Sequence, residues 1–68
     1  MKVKIGDKIK HSLFSGEVCV GIVEDMQICR QGEKEGRSVK SADVSKHHGV
    51  IDVNNGHWCY FDQVKEVM

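Results

Sequence analysis

Asn54-Asn55-Gly56, set between the β-prone runs Val50 to Val53 and His57 to Phe61, most restricts what this chain can fold into. Asn-Gly between two such runs is a strong hairpin signal, because a type I′ turn needs φ > 0 at both of its central residues. With Asn55 and Gly56 as that central pair, Val53 stands opposite Trp58 and Ile51 opposite Tyr60. Side chains alternate along a strand, so these four share one face, and Asp52, Asn54, His57 and Cys59 share the other. The class that follows is all-β.

The rest of the chain reads the same way. Val3 and Ile5 alternate with lysines, Gly6-Asp7 marks a turn, and Lys8-Ile9-Lys10 resumes the alternation. Leu13 and Phe14 fall in a loop closed by Ser15-Gly16. Glu17 to Asp25 is the clearest strand, with Val18, Val20 and Ile22 on one face and Cys19, Gly21 and Val23 on the other. Gly21 in mid-strand suggests a bulge or sharp bend. After a bend near Glu24-Asp25, Met26, Ile28 and Arg30 continue the pattern. The C-terminal stretch from Gln63 reads as a turn and a closing strand through Val64 and Val67. The expected core is Val3, Ile5, Ile9, Val18, Val20, Ile22, Ile28, Ile51, Val53, Trp58, Tyr60 and Val64.

Sixty-eight residues make one domain, spanning 1–68. A chain of this length buries about 60% of its unfolded surface and gains stability by pairing with a copy of itself, so an oligomer is expected. Hydrophobic residues at 40% and charged residues at 29% suit a globular domain. No apolar run approaches the ~20 residues that span a bilayer, and the opening Met1-Lys2-Val3-Lys4 is not a signal peptide. The three cysteines, odd in number and without C-x-x-C spacing, fit free thiols in a reducing compartment, hence a cytoplasmic protein.

Between residues 31 and 48 lies a long polar loop. Arg37 to Lys40 reads as strand and Ser41 to Lys46 as a helical turn. A long polar excursion in so small a domain is more often functional than filler. Arg30, Arg37, Lys40, Lys46, His47 and His48 could converge there on a phosphate or carboxylate beside Tyr60 and Phe61, with arginine supplying bidentate geometry. The alternative is a solvated loop whose charges are balanced by Glu33, Glu35 and Asp43.

Three further constellations carry chemistry in principle. Trp58 and Tyr60 could form an exposed platform for a peptide or a stacked base. The competing reading, adopted in the core above, is that they cover the interior, with Tyr60 at its rim. His57 and Cys59, two apart on one strand face with Asp52 opposite Cys59, have zinc-compatible spacing, yet the paired knuckles of a structural zinc site are missing. The bland reading is a polar strand surface with an incidental thiol, and no metal or cofactor is assigned. A Cys–His catalytic pair would need an orienting group and an oxyanion hole, for which the chain offers no nucleophile elbow, so no enzyme activity is assigned either.

The strings Gly6-Asp7-Lys8-Ile9-Lys10-His11, Phe14-Ser15-Gly16-Glu17-Val18 and Val20-Gly21-Ile22-Val23, with the ending Asp62-Gln63-Val64-Lys65-Glu66-Val67, carry a resemblance. They are similar to the opening and closing strands of small SH3-like barrels of the KOW/Tudor type, such as the C-terminal domains of UvrD-like helicases. The resemblance covers residues 5 to 24 and 50 to 67. It implies a barrel of five or six short strands that docks on other molecules and catalyses nothing; short stand-alone chains of this type occur among phage and mobile-element accessory proteins.

A non-enzymatic module that docks on a host protein is therefore the first functional expectation. Capture of a phosphorylated small ligand, such as a nucleotide signal, by an oligomer is the second. Nucleic-acid binding ranks third, because a formal net charge of zero leaves little to neutralise phosphates.

Overall fold

The computed structural model describes residues 1–68. It is all-β, with eight strands and a single 3-10 turn: β1 (Lys2–Lys4), β2 (Lys8–Ser12), β3 (Val18–Ile28), β4 (Arg37–Ser38), β5 (Ser41–Asp43), β6 (Gly49–Val53), β7 (Trp58–Tyr60), the 3-10 turn Phe61–Gln63, and β8 (Val64–Val67). No helix is long and apolar enough to cross a membrane.

The strands exceed the five or six expected because the polar stretch 31–48 contributes two of its own. Ser41–Asp43 is strand rather than helical turn, since it pairs with β1, Val3 facing Ala42, and buries Ala42 in the core. The chain then turns as Asp43 Oδ1 accepts the Ser45 N–H at 2.9 Å.

The larger sheet runs in the order β7-β6-β3-β2-β8, with β4 also on β3. β1 and β5 form a separate two-stranded ladder. No ladder joins β7 to β8, so hydrogen bonding does not close the sheet into a ring. Strand β3 spans both parts of the larger sheet: Val18 to Ile22 pair with β2, and Val23 to Ile28 with β6. The register of β3 against β6 shifts between Val23 and Asp25, a bulge at the bend that the sequence marks near Glu24-Asp25.

The bulge is not at Gly21, whose role is close approach. Gly21 is buried, and a Cβ there would collide with Val53 Cγ1 and press on the Asn55 and Asn54 side chains at 3.0 and 3.1 Å. That crowding fixes the phase of β3. Gly21 and Val23 face inward, which leaves Val18 and Val20 exposed and Ile22 half-buried. The larger apolar triad is therefore on the outside, opposite to the expected arrangement.

The core consists of Val3, Ile9, Val23, Met26, Ala42, Val44, Ile51, Val53, Cys59, Phe61 and Val64. Ile5, expected inside, is exposed just past the end of β1, and Ile28 is only partly buried at the core's margin. His11 is buried among these apolar neighbours and is the one buried polar side chain.

The hairpin forms at the expected place with a different register. Val53 N–H donates to the His57 carbonyl at 3.1 Å, and the next pairs are Asp52 with Trp58, Ile51 with Cys59 and Val50 with Tyr60. Only Gly56 has a positive φ (85°) in the loop, and no non-glycine residue of the chain does. The connection is thus a three-residue Asn54-Asn55-Gly56 loop of the kind that ends in a left-handed glycine, not a two-residue type I′ turn. One extra loop residue slips the register by one and turns every β7 side chain over. Cys59 enters the core, and Trp58 and Tyr60 move to the outer face.

Candidate functional site

The outer face of the hairpin carries three mutually packed aromatic side chains. Trp58 and Tyr60 have ring centroids 5.1 Å apart at 84°, and Phe14 packs edge-on to both, at 6.1 and 6.0 Å. These edge-to-face distances are within the favourable range for aromatic pairs. Phe14 is 76% exposed and Trp58 37%.

Two local devices hold Phe14 there. The β2–β3 connection is a tight loop closed by Leu13 N–H to the Glu17 carbonyl (2.7 Å) and Gly16 N–H to the Leu13 carbonyl (2.9 Å), with Gly16 at φ 90°. Gln63 ties the base of that loop to Tyr60: its Oε1 accepts the Tyr60 N–H at 2.8 Å, and its Nε2 donates to the Ser12 carbonyl at 3.0 Å. The aromatic face thus rests on a fixed scaffold rather than on free loop ends.

A cation already sits on this face. Lys34 Nζ lies 5.1 Å from the Trp58 ring centroid, a cation–π distance, in a shallow depression shared with Gln27, Val50 and Asp52. The segment from Cys29 to Gly36 delivers it. Cys29 N–H donates to the His48 carbonyl at 3.0 Å, Glu33 N–H closes a turn on the Arg30 carbonyl at 3.0 Å, and Gly36 N–H donates to Gln27 Oε1 at 2.9 Å. Cys29 is spent on the same turn, its thiol donating to the Glu33 carbonyl at 3.1 Å. Acidic groups surround the aromatics, because the register aligns Asp25 with Asp52 and Asp52 with Trp58.

The expected cationic cluster is only partly assembled. A cleft of about 220 Å³ is lined by Arg30, His48, Tyr60 and Phe61 together with Glu33 and Asp62. Its charge is mixed, not uniformly positive. Phe61 is buried in the core and can offer a ligand only its edge. Arg37 lies on β4, Lys40 follows it, and Lys46 and His47 belong to the turn after β5; all four are exposed, and none lines the cleft. The two ion pairs of the fold, the N-terminal amine with Asp43 and Lys10 with Glu66, involve none of these cations. Tyr60 is the shared wall between cleft and aromatic face.

His57, Cys59 and Asp52 do not converge. Cys59 points into the core opposite Ile51, whereas Asp52 is exposed on the outer face. No three His, Cys, Asp or Glu side chains gather closely enough to hold a metal ion. Burial, reinforced by the Asp62 and Asp52 charges, pushes the Cys59 thiol up to about 12, so it stays protonated and unreactive at neutral pH. Cys19 and Cys29 are free thiols and half-buried.

Phe14 and Lys34 are the site residues that sequence reasoning missed. Phe14 had a usable signal, a large aromatic beside Ser-Gly in a loop. Lys34 had none, since only the tertiary path of its loop brings it to Trp58. The class that fold and site define is a small all-β domain presenting an aromatic surface with a mixed-charge rim. Comparison with known protein families, with curated proteins and with solved structures finds no match.

Proposed function

We propose that this chain is a non-enzymatic binding module that docks on a protein partner through the Phe14–Trp58–Tyr60 face. The observation that carries the reading is the placement of the chain's only tryptophan and tyrosine, with one of its two phenylalanines, on the outside of so small a domain. Aromatic side chains are the usual anchors of protein interfaces. Lys34 over Trp58 beside Asp52 supports a partner segment that presents a lysine or arginine next to apolar side chains. The resemblance to docking-type SH3-like barrels, including phage accessory proteins acting on host proteins, points the same way.

The test is affinity capture from host lysate with three immobilised proteins: the wild type, Phe14→Ser with Trp58→Ala, and Arg37→Ala with Lys40→Ala. A partner bound by the wild type and the Arg37/Lys40 variant but lost from the aromatic variant supports the reading. A partner held equally by all three, or none held by any, overturns it.

The Arg30–His48–Tyr60 cleft favours a second reading, capture of a phosphorylated small ligand by an oligomer, with Tyr60 stacking on the ligand's ring and Arg30 on its phosphate. A nucleotide panel checks this by thermal denaturation, since a ligand at 100 times its Kd adds roughly 2.7 kcal/mol. Unchanged melting across the panel removes it.

A further inference from the structure

Below the aromatic face, the β6–β7 loop is fastened to a buried histidine. His11 faces inward from β2 and is fully buried, with Nε2 3.1 Å from Asn55 Nδ2. The orientation of the Asn55 amide follows from its other bonds. Its Oδ1 accepts the His57 N–H at 3.0 Å, and its Nδ2 donates to the Val20 carbonyl at 3.3 Å. Asn55 therefore presents a hydrogen to His11, and Nε2 has to accept it. The neutral ring then carries its own proton on Nδ1, a buried nitrogen without a hydrogen-bond partner.

A cationic His11 fits this setting badly on both sides. It would direct an Nε2–H at an amide NH2 and leave a second N–H unpaired in the interior. No carboxylate compensates. From β3 the register partner is the Cys19 thiol, and from β8 it is Val64. Glu66 is opposite Lys10 and pairs with it at 3.7 Å, while Lys65 beside it is exposed. From the loop comes His57, whose ring is 6.4 Å away at 61°, a second positive charge when protonated. Burial first and the His57 charge second hold the His11 pKa below its ordinary 6.5, with the Ser12 backbone acting the other way.

We propose that protonation of His11 opens the Asn54–His57 loop, so that the fold carries an acid-sensitive latch at the root of the strand bearing Trp58. The sign follows from linkage. The opened loop frees a histidine that takes its proton near pH 6.5, whereas the closed loop holds one that takes it only at lower pH. Stability of the closed form is complete above the ordinary value and declines as pH falls through the interval below it. The consequence, release of a bound partner in acid, rests on the binding role proposed for the aromatic face; the latch itself does not.

NMR of the isolated protein between about pH 7.5 and about pH 5 tests the latch without any partner. The imidazole nitrogens of His11 are expected to report the Nδ1–H tautomer at the upper end. On acidification, the amide protection factors of Asn54 and His57, whose N–H groups donate to the Ile22 carbonyl and to Asn55 Oδ1, should fall about tenfold per pH unit, while those of Met26 and Ile51 persist. His11→Gln, whose amide oxygen can still accept from Asn55, should leave the loop indifferent to pH. His57→Ala should make the loss of loop protection in acid smaller, because without the second positive charge the closed loop holds His11 nearer its ordinary pKa. An Nε2–H tautomer, a loop unchanged down to about pH 5, or simultaneous loss of core and loop protection overturns the proposal. If capture by the aromatic face fails while these shifts occur, only the binding role falls.

Discussion

The two faces of the β6–β7 hairpin use the same few residues for opposite purposes. On the inner face, Ile51 pairs with the small Cys59 in a space also filled by Val53, Met26 and Phe61. On the outer face, Val50 and Asp52 pair with Tyr60 and Trp58, and Phe14 leans on both aromatics from another loop. A small domain short of buried surface would be expected to spend its tryptophan on the interior. This one closes its core with medium-sized aliphatic side chains, methionine and one phenylalanine. Its other aromatics remain on the surface, where they add little to folding and suit binding.

Substitutions that separate the faces test this contrast. Ile51→Ala should have the largest effect, about 2–5 kcal/mol, because it opens a cavity among residues that cannot all move in. That is a large share of the stability such a domain has, so a shallow or absent unfolding transition in urea is expected. Gly21→Ala should cost about 1–3 kcal/mol, since its new methyl collides with Val53 and presses on the Asn54–Asn55 clamp. The melting temperature would drop by several degrees per kcal/mol.

Trp58→Ala should cost about 1–2 kcal/mol, from its edge contacts and the covered part of its ring, while abolishing partner capture. A Trp58→Ala protein that fails to fold would show that the outer face is structural after all. Lys34→Ala is expected to be the mildest, at about 0.5–1 kcal/mol, and to leave the Trp58 ring open. A blue shift or no change in Trp58 fluorescence on that substitution would show that Lys34 does not cover the ring.

Much of the fold was legible because it depends on local chemistry. Asn54-Asn55-Gly56 announced a hairpin, and Gly6, Gly16 and Gly56 occupy turns with positive φ. Val3, Ile9, Ile51, Val53 and Val64 are buried as their alternation implied. The errors came where two readings differ by a single residue. Whether Asn55 is a turn residue or a tertiary clamp decides the β7 register, and no propensity distinguishes them. The clamp exists only because β3 passes close by: Ile22 N–H donates to Asn54 Oδ1 at 2.9 Å and Asn55 Nδ2 reaches the Val20 carbonyl. For the candidate site, Tyr60 and Arg30 could be nominated from composition and position. Phe14 and Lys34 could not, because they lie 44 and 24 residues before Trp58 along the chain and no local pattern connects them to it.

Sequence alone thus determined the β class, the places where the chain reverses and the alternation of its strands, since these follow from backbone sterics and a period of two. Which phase of that alternation faces inward was decided by tertiary packing. Only a residue without a Cβ fits where β3 crosses Val53, and the inward placement of Gly21 turned its larger neighbours outward. The loop length set by Asn54 and Asn55 did the same to Trp58 and Tyr60. A strand carries apolar side chains on both faces at little local cost, so the choice between faces is made by what packs against it.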